Sequence, residues 1–483
     1  MSDKTFVRAK SNKPTYDELL ELVEILQRRI AEQDKRIAEL EAKLAAASKN
    51  SRNSSKPPSS DITNPKTEGP GKRRRKCHIG GQKGHAKYES NLTRDDADHV
   101  VPYHADKLSE NRGRPLVPAT DVAPKTLFQY ELVHKPVELT AYISYPYMDT
   151  ETGEVVFAPF PTEVEAAGIL GPRLTALAAC LKGGIHASYT GTQKVLGFLG
   201  SHVCRGTICK KIQKVTAALG FVYDELLDAL RFQEQMNIDE TGHKDHPFDK
   251  PVGHKKPWTW VFAASFFTVF KIFGSRSTDA LREVLGKDCA AMIGADFYSA
   301  YKCFMKEANI KVQFCWAHLI RDITFLSESS DKVTANYGNR LLELCGKMFR
   351  LQHRREQLGE TVFRRHMERL KESFLATGRR SRASGAQDMV KRLTEYGQEY
   401  FLFLEHPQIE PTNNLAEREV RHCVIDRRIT QGTRGHAGQR WCERVWTVLA
   451  TCVRQHRDAF AFITESVRTF YAGQPQPSLL PDD

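Results

Sequence analysis

Between residues 234 and 325 the hydrophobic pattern changes period in a set order, and that order restricts the topology more than any other feature of the chain. "EQMNIDETGHK" reads as a short strand reaching Asp239, and "PWTWVFAASFFTVFKIF" supplies two longer strands of aromatic and β-branched residues. "STDALREVLG" then reads as a helix with Ser277 or Thr278 near its cap. "CAAMIGADFYSAY" is a fourth strand with Asp296 at its C-terminal end, and "IKVQFCWAHLIRDI" is a fifth strand running into a helix.

The order β-β-β-α-β-α-β suggests an α/β fold with a ribonuclease-H-like core, a mixed five-stranded sheet flanked by helices. In that topology the first and fourth strands are parallel neighbours, so Asp239 and Asp296 end side by side. Two carboxylates forced together raise each other's pKa unless a cation intervenes. Hard Mg²⁺ or Mn²⁺ prefers such oxygens, and a third carboxylate permits two metals able to activate a nucleophile and steady the leaving oxygen of a phosphodiester. Glu417, in "PTNNLAEREVRHC", is the natural third member. By itself that stretch fits a capping box from Asn414 to Glu417, with Arg421 as an i,i+4 partner of Glu417. With the cap in place, the positive helix end favours an ionised Glu417, and Arg418 and Arg421 become candidates to meet phosphates.

The rest of the chain divides by composition. From Tyr16 to Leu44 a heptad places Val23, Ile30, Ile37 and Leu44 at one seam position and Leu19, Leu26 and Leu40 at the other, with Gln33 its one polar member. Residues 1–48 therefore read as a coiled coil joining two or more copies, or else as an amphipathic helix packed on its own chain. "SKNSRNSSKPPSSDITNPK" cannot pack and reads as a linker. It leads into an arm containing Lys72, Arg73, Arg74, Arg75 and Lys76, so 49–95 reads as linker plus phosphate-contacting arm or a solvated charge run. Residues 96–165 look β-rich, from the alternation in "KTLFQYELVHKPVELTAYISYPY". Residues 166–232 turn helical and contain a helix-turn-helix-like hairpin whose second helix carries Arg205, Lys210 and Lys211. The core then spans 233–321, a helical insertion 322–405, the completion of the core with the Glu417 helix 406–462, and a tail 463–483.

With 71 Lys and Arg against 59 Asp and Glu, the formal charge of +12 favours a polyanionic partner, nucleic acid or an anionic membrane surface. The most apolar run, Val261 to Phe273, is too short to span a bilayer and carries Lys271. The 11 cysteines, odd in number and never spaced C-x-x-C, read as reduced thiols of a cytoplasmic protein, and the N-terminus has no apolar signal region.

Several of these stretches together resemble the bacterial DDE transposases of the insertion-sequence 66 type, also called TnpC-like. The shared features are the N-terminal heptads, "NSSKPPSSD" followed by "GGQKGH", "DET" at Asp239, "ADFYSAY" at Asp296, "CWAH" at Cys315 to His318, and "NNLAER" around Glu417. The resemblance implies Asp239, Asp296 and Glu417 as a triad holding two Mg²⁺ or Mn²⁺ ions. It implies action on the ends of the protein's own mobile element and their joining to target double-stranded DNA, in many relatives with small accessory proteins. One departure stands out: the family's zinc-binding cysteine cluster is reduced here to Cys77 with His78, His85, His99 and His104, and no structural zinc is expected.

Secondary candidates surround the triad. His318 and Arg321 follow the fifth strand and can touch the scissile phosphate, or serve as a helix-cap histidine and a surface arginine. Arg427, Arg428, Arg434 and Arg440 lie in or beside the Gly-rich "RRITQGTRGHAGQR", suited to phosphate contacts. Cys315 and Trp316 read as core. A nuclease without strand transfer, or a non-catalytic DNA-binding derivative, would share most of these features.

Overall fold

The computed structural model describes residues 16–48, 92–102, 125–152, 155–247, 256–406 and 408–481. The chain divides into two compact units: residues 1–68, 144–194 and 203–483 form one, residues 69–143 and 195–202 the other. In the smaller unit Asp96 accepts from the Thr93 N–H at 2.7 Å and its hydroxyl at 2.8 Å, closing a 3-10 turn over Arg94–Asp96.

Helix α1 (Tyr16–Ser48) realises the heptad as one helix, with Leu19, Val23, Leu26, Ile30, Ile37 and Leu40 all exposed. The β-rich expectation for 96–165 is not met among its described residues. Among the described residues of that segment the only strands are β1 (Pro146–Met148) and β2 (Val155–Phe157), a small antiparallel hairpin. Residues 125–145 carry no strand, and Leu127, Tyr130, Leu132 and Leu139 are exposed. Alternation favours a strand only where a neighbour pairs with it, and Pro136 removes a donor from the run.

Helix α2 (Thr162–Ala167) lies mostly within the segment read as β-rich, and α3 (Pro172–Gly183), α4 (Tyr189–Phe198), α5 (Arg205–Ala218) and α6 (Gly220–Ala229) follow, as the helical period predicts. The apolar stretch Thr162–Gly183 is long enough in sequence to cross a membrane. It is broken between α2 and α3, where Gly168 takes φ +54°, and Leu170, Ala176 and Ala178 are buried in the protein.

The strands β3 (Gln235–Gly242), β4 (Trp258–Ala264) and β5 (Thr268–Phe273) form an antiparallel meander. Helix α7 (Thr278–Leu285), with Ser277 at its N-cap, leads to β6 (Met292–Ala295); α8 (Ser299–Ala308) leads to β7 (Val312–Phe314). The sheet order is β5-β4-β3-β6-β7, with β6 parallel to both β3 and β7. Trp260, Val261, Phe262, Ala263 and Ala264 of β4 are all buried, as a central strand covered on both faces requires.

Helix α9 (Trp316–Ser327) carries the chain across the expected boundary at 321 into α10 (Lys332–Gln352), α11 (Arg355–Leu358), α12 (Glu360–Gly378), α13 (Gln387–Tyr396) and α14 (Leu402–Glu405). The Trp316 ring lies 5.2 Å from those of Phe374 and Phe401, rooting these helices on the end of β7. At that edge the Gln313 side chain donates to the Tyr400 carbonyl at 3.1 Å and accepts from the Phe403 N–H at 3.1 Å.

Helix α15 (Asn414–Ile429) packs across β3 and β4. Helix α16 (His436–Arg454) lies along β5. Three of its side chains accept from that strand's outer N–H groups: Thr451 from Thr268 at 3.2 Å, Thr447 from Phe270 at 3.0 Å and Glu443 from Ile272 at 2.7 Å. The edge is thereby closed without another strand. The first ten residues of the expected tail belong to helix α17 (Ala459–Ala472), capped by Asp458 and packed on α2, α3 and α5 through buried Phe462, Ile463, Val467 and Tyr471, and the chain is irregular over 473–481. Phe462, Ile463, Val467 and Tyr471 recur at helical spacing, which gives that stretch one apolar face to bury.

Candidate functional site

Strand register brings the first two carboxylates together. Asn237 of β3 pairs with Gly294 of β6, so two residues further on Asp239 and Asp296 leave the ladder in step. A Cβ on Gly294 would stand 2.5 Å from Asn237 Nδ2, so any larger residue there would displace the Asn237 amide. Asn237 in turn donates to Asn413 Oδ1 at 2.8 Å, and Asn413 Nδ2 donates to the Ile238 carbonyl at 2.8 Å. The Asn413 N–H points to Cys315 Sγ at 3.2 Å. Buried Asn413 thus pins the start of α15 to β3, and Glu417 lies in the first turn.

This corrects the capping-box reading. Asn414 is exposed and is the first helical residue, Asn413 is the N-cap, and no side chain caps the helix. The asparagine amide bridges elements instead. The one-residue shift follows from Asn413 keeping a non-helical ψ of 28°.

Burial and mutual repulsion disfavour the carboxylate anions. Burial, then Glu240 and Asp296, then Glu417 hold the Asp239 carboxyl well above its usual range, against the Glu240 N–H that donates to it at 2.9 Å. Asp296 is pushed up to about 7 by burial and Glu240, against Arg276 and the Tyr298 N–H at 3.1 Å. Burial raises Glu417 too, against Arg321 and Arg421. Three crowded oxygen donors in this condition suit a hard divalent cation, which removes the repulsion.

Buried Glu240 takes Arg276 Nε at 2.6 Å and also the Tyr301 hydroxyl. The Arg276 guanidinium stacks 3.7 Å from the Tyr298 ring centre and reaches Asp296 Oδ2 at 3.9 Å. From α13, Arg392 pairs with Asp322 at 2.7 Å and stacks 4.1 Å from the Phe297 ring centre, next to Asp296. Sequence reasoning missed Glu240, Arg276, Arg392 and Asn413. Only two of them adjoin a recognised motif: Glu240 in "DET" and Asn413 in "NNLAER".

A cleft of about 1450 Å³ opens over the triad, with Lys244, Lys256, Arg276, Arg321, Arg421 and Arg428 on its walls. His318 and Arg427 also line it. His318 Nδ1 lies 3.4 Å from Glu417 Oε1, and burial with Arg321 and Arg392 pushes its pKa down to about 4. Arg427 is tied down by Thr241 Oγ1 at 2.9 Å and by the Gly242 carbonyl. Arg418, Arg434 and Arg440 are exposed but outside the cleft lining, as are Arg205 and Lys210 on α5. Lys211 is a correction: it is buried, donates to the Ala167 carbonyl and lies 5.4 Å from the Tyr471 ring centre, so it is withdrawn from phosphates. Lys72, Arg73, Arg74, Arg75 and Lys76 lie outside the described residues.

The Gly-rich segment is anchored rather than free. Asp245 accepts from Thr433 Oγ1 at 2.6 Å, the Gly435 N–H at 2.8 Å and Gln439 at 3.0 Å. Gly432, at φ +85°, sits where a Cβ would meet the Lys244 carbonyl at 2.0 Å.

An acidic cluster in a cation-walled cleft is the arrangement of a protein that processes nucleic acid. The family model described as "Transposase IS66 family" matches residues 167–440, more than half of the chain, and the chain belongs to that family. A second model, of a family of unknown function, matches residues 8–91. No curated protein matches the chain.

Proposed function

We propose that this chain is a DNA transposase of the DDE type, with Asp239, Asp296 and Glu417 as the metal-binding triad of a ribonuclease-H-like core. The observation that carries the reading is the parallel register of β3 and β6, which sets Asp239 and Asp296 in step beneath a Glu417 helix pinned to β3 by Asn413. The sheet order β5-β4-β3-β6-β7, with one antiparallel meander and two parallel additions, supports the core assignment. Two Mg²⁺ or Mn²⁺ ions held by these carboxylates would supply nucleophile activation and charge neutralisation at the leaving oxygen.

The chain's own groups do the rest. Arg421 and Arg428 on α15, with Lys244 and Lys256 on the walls of the same cleft, hold DNA phosphates along it. Arg276, fixed by Glu240 and two aromatic rings, orients Asp296. Water first cuts the 3′ end of the element, and the freed 3′-hydroxyl then attacks target DNA in line. The exposed heptad of α1 supports self-association, so that two ends are handled together.

The test uses DNA carrying the ends of the element that encodes the protein. Glu417→Gln should abolish Mg²⁺-dependent cleavage, and full activity in that variant would remove Glu417 from the triad. Precleaved ends incubated with wild-type protein and target DNA should give joined product; cleavage without joining would make the protein a plain nuclease.

A further inference from the structure

A second donor set shares one member with the triad. Cys315 and His318 stand one turn apart at the start of α9, and Sγ of the first, Nδ1 of the second and a Glu417 carboxylate oxygen lie within 4.8 Å of one another. His318 Nδ1 is 3.4 Å and Cys315 Sγ is 4.0 Å from Glu417 Oε1. Around a tetrahedral Zn²⁺, with bonds of about 2.3 Å to sulfur and about 2.0 Å to nitrogen or oxygen, neighbouring ligand atoms stand roughly 3.3–3.6 Å apart. The two separations from Glu417 Oε1 stand within about half an ångström of those values, and the Cys315 Sγ and His318 Nδ1 atoms lie within 4.8 Å of each other.

Two further observations favour a ligand. The His318 Nδ1 atom is buried and makes no hydrogen bond, despite its approach to Glu417. Cys315 Sγ already receives the Asn413 N–H, the kind of support a metal-bound thiolate receives. Sulfur and imidazole are poor donors for Mg²⁺ and good ones for softer ions, so the trio selects a different metal from the three carboxylates beside it.

We propose that Cys315, His318 and Glu417 form a three-ligand site for a soft divalent cation of the zinc class. The Cys315 thiol gives its proton to solvent on binding, and the fourth position of the ion stays open. Because Glu417 cannot serve both sites, occupancy by the soft ion withdraws it from the triad and inhibits the enzyme. Binding stands on the geometry alone; the inhibitory consequence rests on the functional reading above.

The experiment titrates the full-length protein, freed of metal by chelation, with Co²⁺ as a spectroscopic substitute. The wild type should develop a thiolate-to-cobalt charge-transfer band that Cys315→Ser abolishes and His318→Gln weakens at least tenfold in affinity. Cys345→Ser, which removes another buried thiol, should keep the band. Absence of the band in wild type, or its persistence in Cys315→Ser, overturns the site. In a parallel assay Zn²⁺ should suppress Mg²⁺-dependent cleavage by wild type, with Cys315→Ser or His318→Gln raising the half-inhibitory concentration at least tenfold. An unshifted value in whichever variant is active overturns the inhibition. Wild-type protein inactive in Mg²⁺ would count against the transposase reading while leaving the cobalt result to decide the site.

Discussion

Along β5 the outer N–H groups of Thr268, Phe270 and Ile272 each meet a side-chain oxygen of α16, whereas at the ends of β3 and β6 three carboxylates are gathered where burial and neighbouring acids oppose their ionisation. Both arrangements are built on one sheet, a few strands apart. The first gives each of the three N–H groups an acceptor and supports the fold. The second holds its groups in a condition that a bound cation would relieve, and so draws on the stability the first supplies.

The contrast can be broken most sharply at the carboxylates. Asp239→Asn should lower Mg²⁺-dependent cleavage by about a thousandfold or more while leaving the unfolding midpoint of the metal-free protein equal or higher. A parallel loss of stability would make Asp239 a structural residue. At the other site, Thr447→Val keeps shape but strands the Phe270 N–H, and denaturant unfolding should register a loss of about 1–3 kcal/mol. Cleavage per folded molecule should stay at the wild-type level.

Asp296→Asn sharpens the comparison from the opposite direction. The folded Asp296 pKa is raised to about 7, so its share of stability is full below its ordinary value of 3.8 and is lost as pH rises through 7. At pH 8 without metal the variant should therefore be more stable than wild type by roughly 1–2 kcal/mol, a gain that vanishes near pH 3 and shrinks when Mg²⁺ is added. The smallest effect concerns His243, which contacts Thr259 and Thr433 hydroxyls at 2.9 Å each. Burial lowers its pKa from 6.5 to about 4, so its contribution is present above pH 6.5 and lost as pH falls towards 4. His243→Gln should lose about 1 kcal/mol less than wild type over that window, measured by urea titration at each pH.

The sheet was legible because its strands differ in period and composition from the helices between them, and that order put Asp239 and Asp296 at the ends of neighbouring strands. What escaped were contacts set by angles and by distant elements. Asn413 and Asn414 are adjacent and chemically identical, and only the backbone angle decides which precedes the helix. Glu240 announces nothing until Arg276 and Tyr301 are seen to converge on it. Arg392 reaches Phe297 from a helix almost a hundred residues downstream, and its local sequence reads as an ordinary charged surface. The alternation over 125–145 misled for the converse reason: period records what a segment could pair with, and pairing needs a partner.

The α16 edge also measures length. Four helical residues advance about 6.0 Å and two residues of antiparallel strand about 6.8 Å, so a helix matching rungs at every fourth residue falls behind by about 0.8 Å per rung. Counted from Thr451, the lag is about 1.6 Å at the third rung. That rung is where threonine gives way to the longer Glu443. A fourth would fall to Gln439, whose amide donates to Asp245 instead. The helix works as a ruler with slightly wrong divisions, and the side chain that lengthens at its end sets how many residues of strand it can seal.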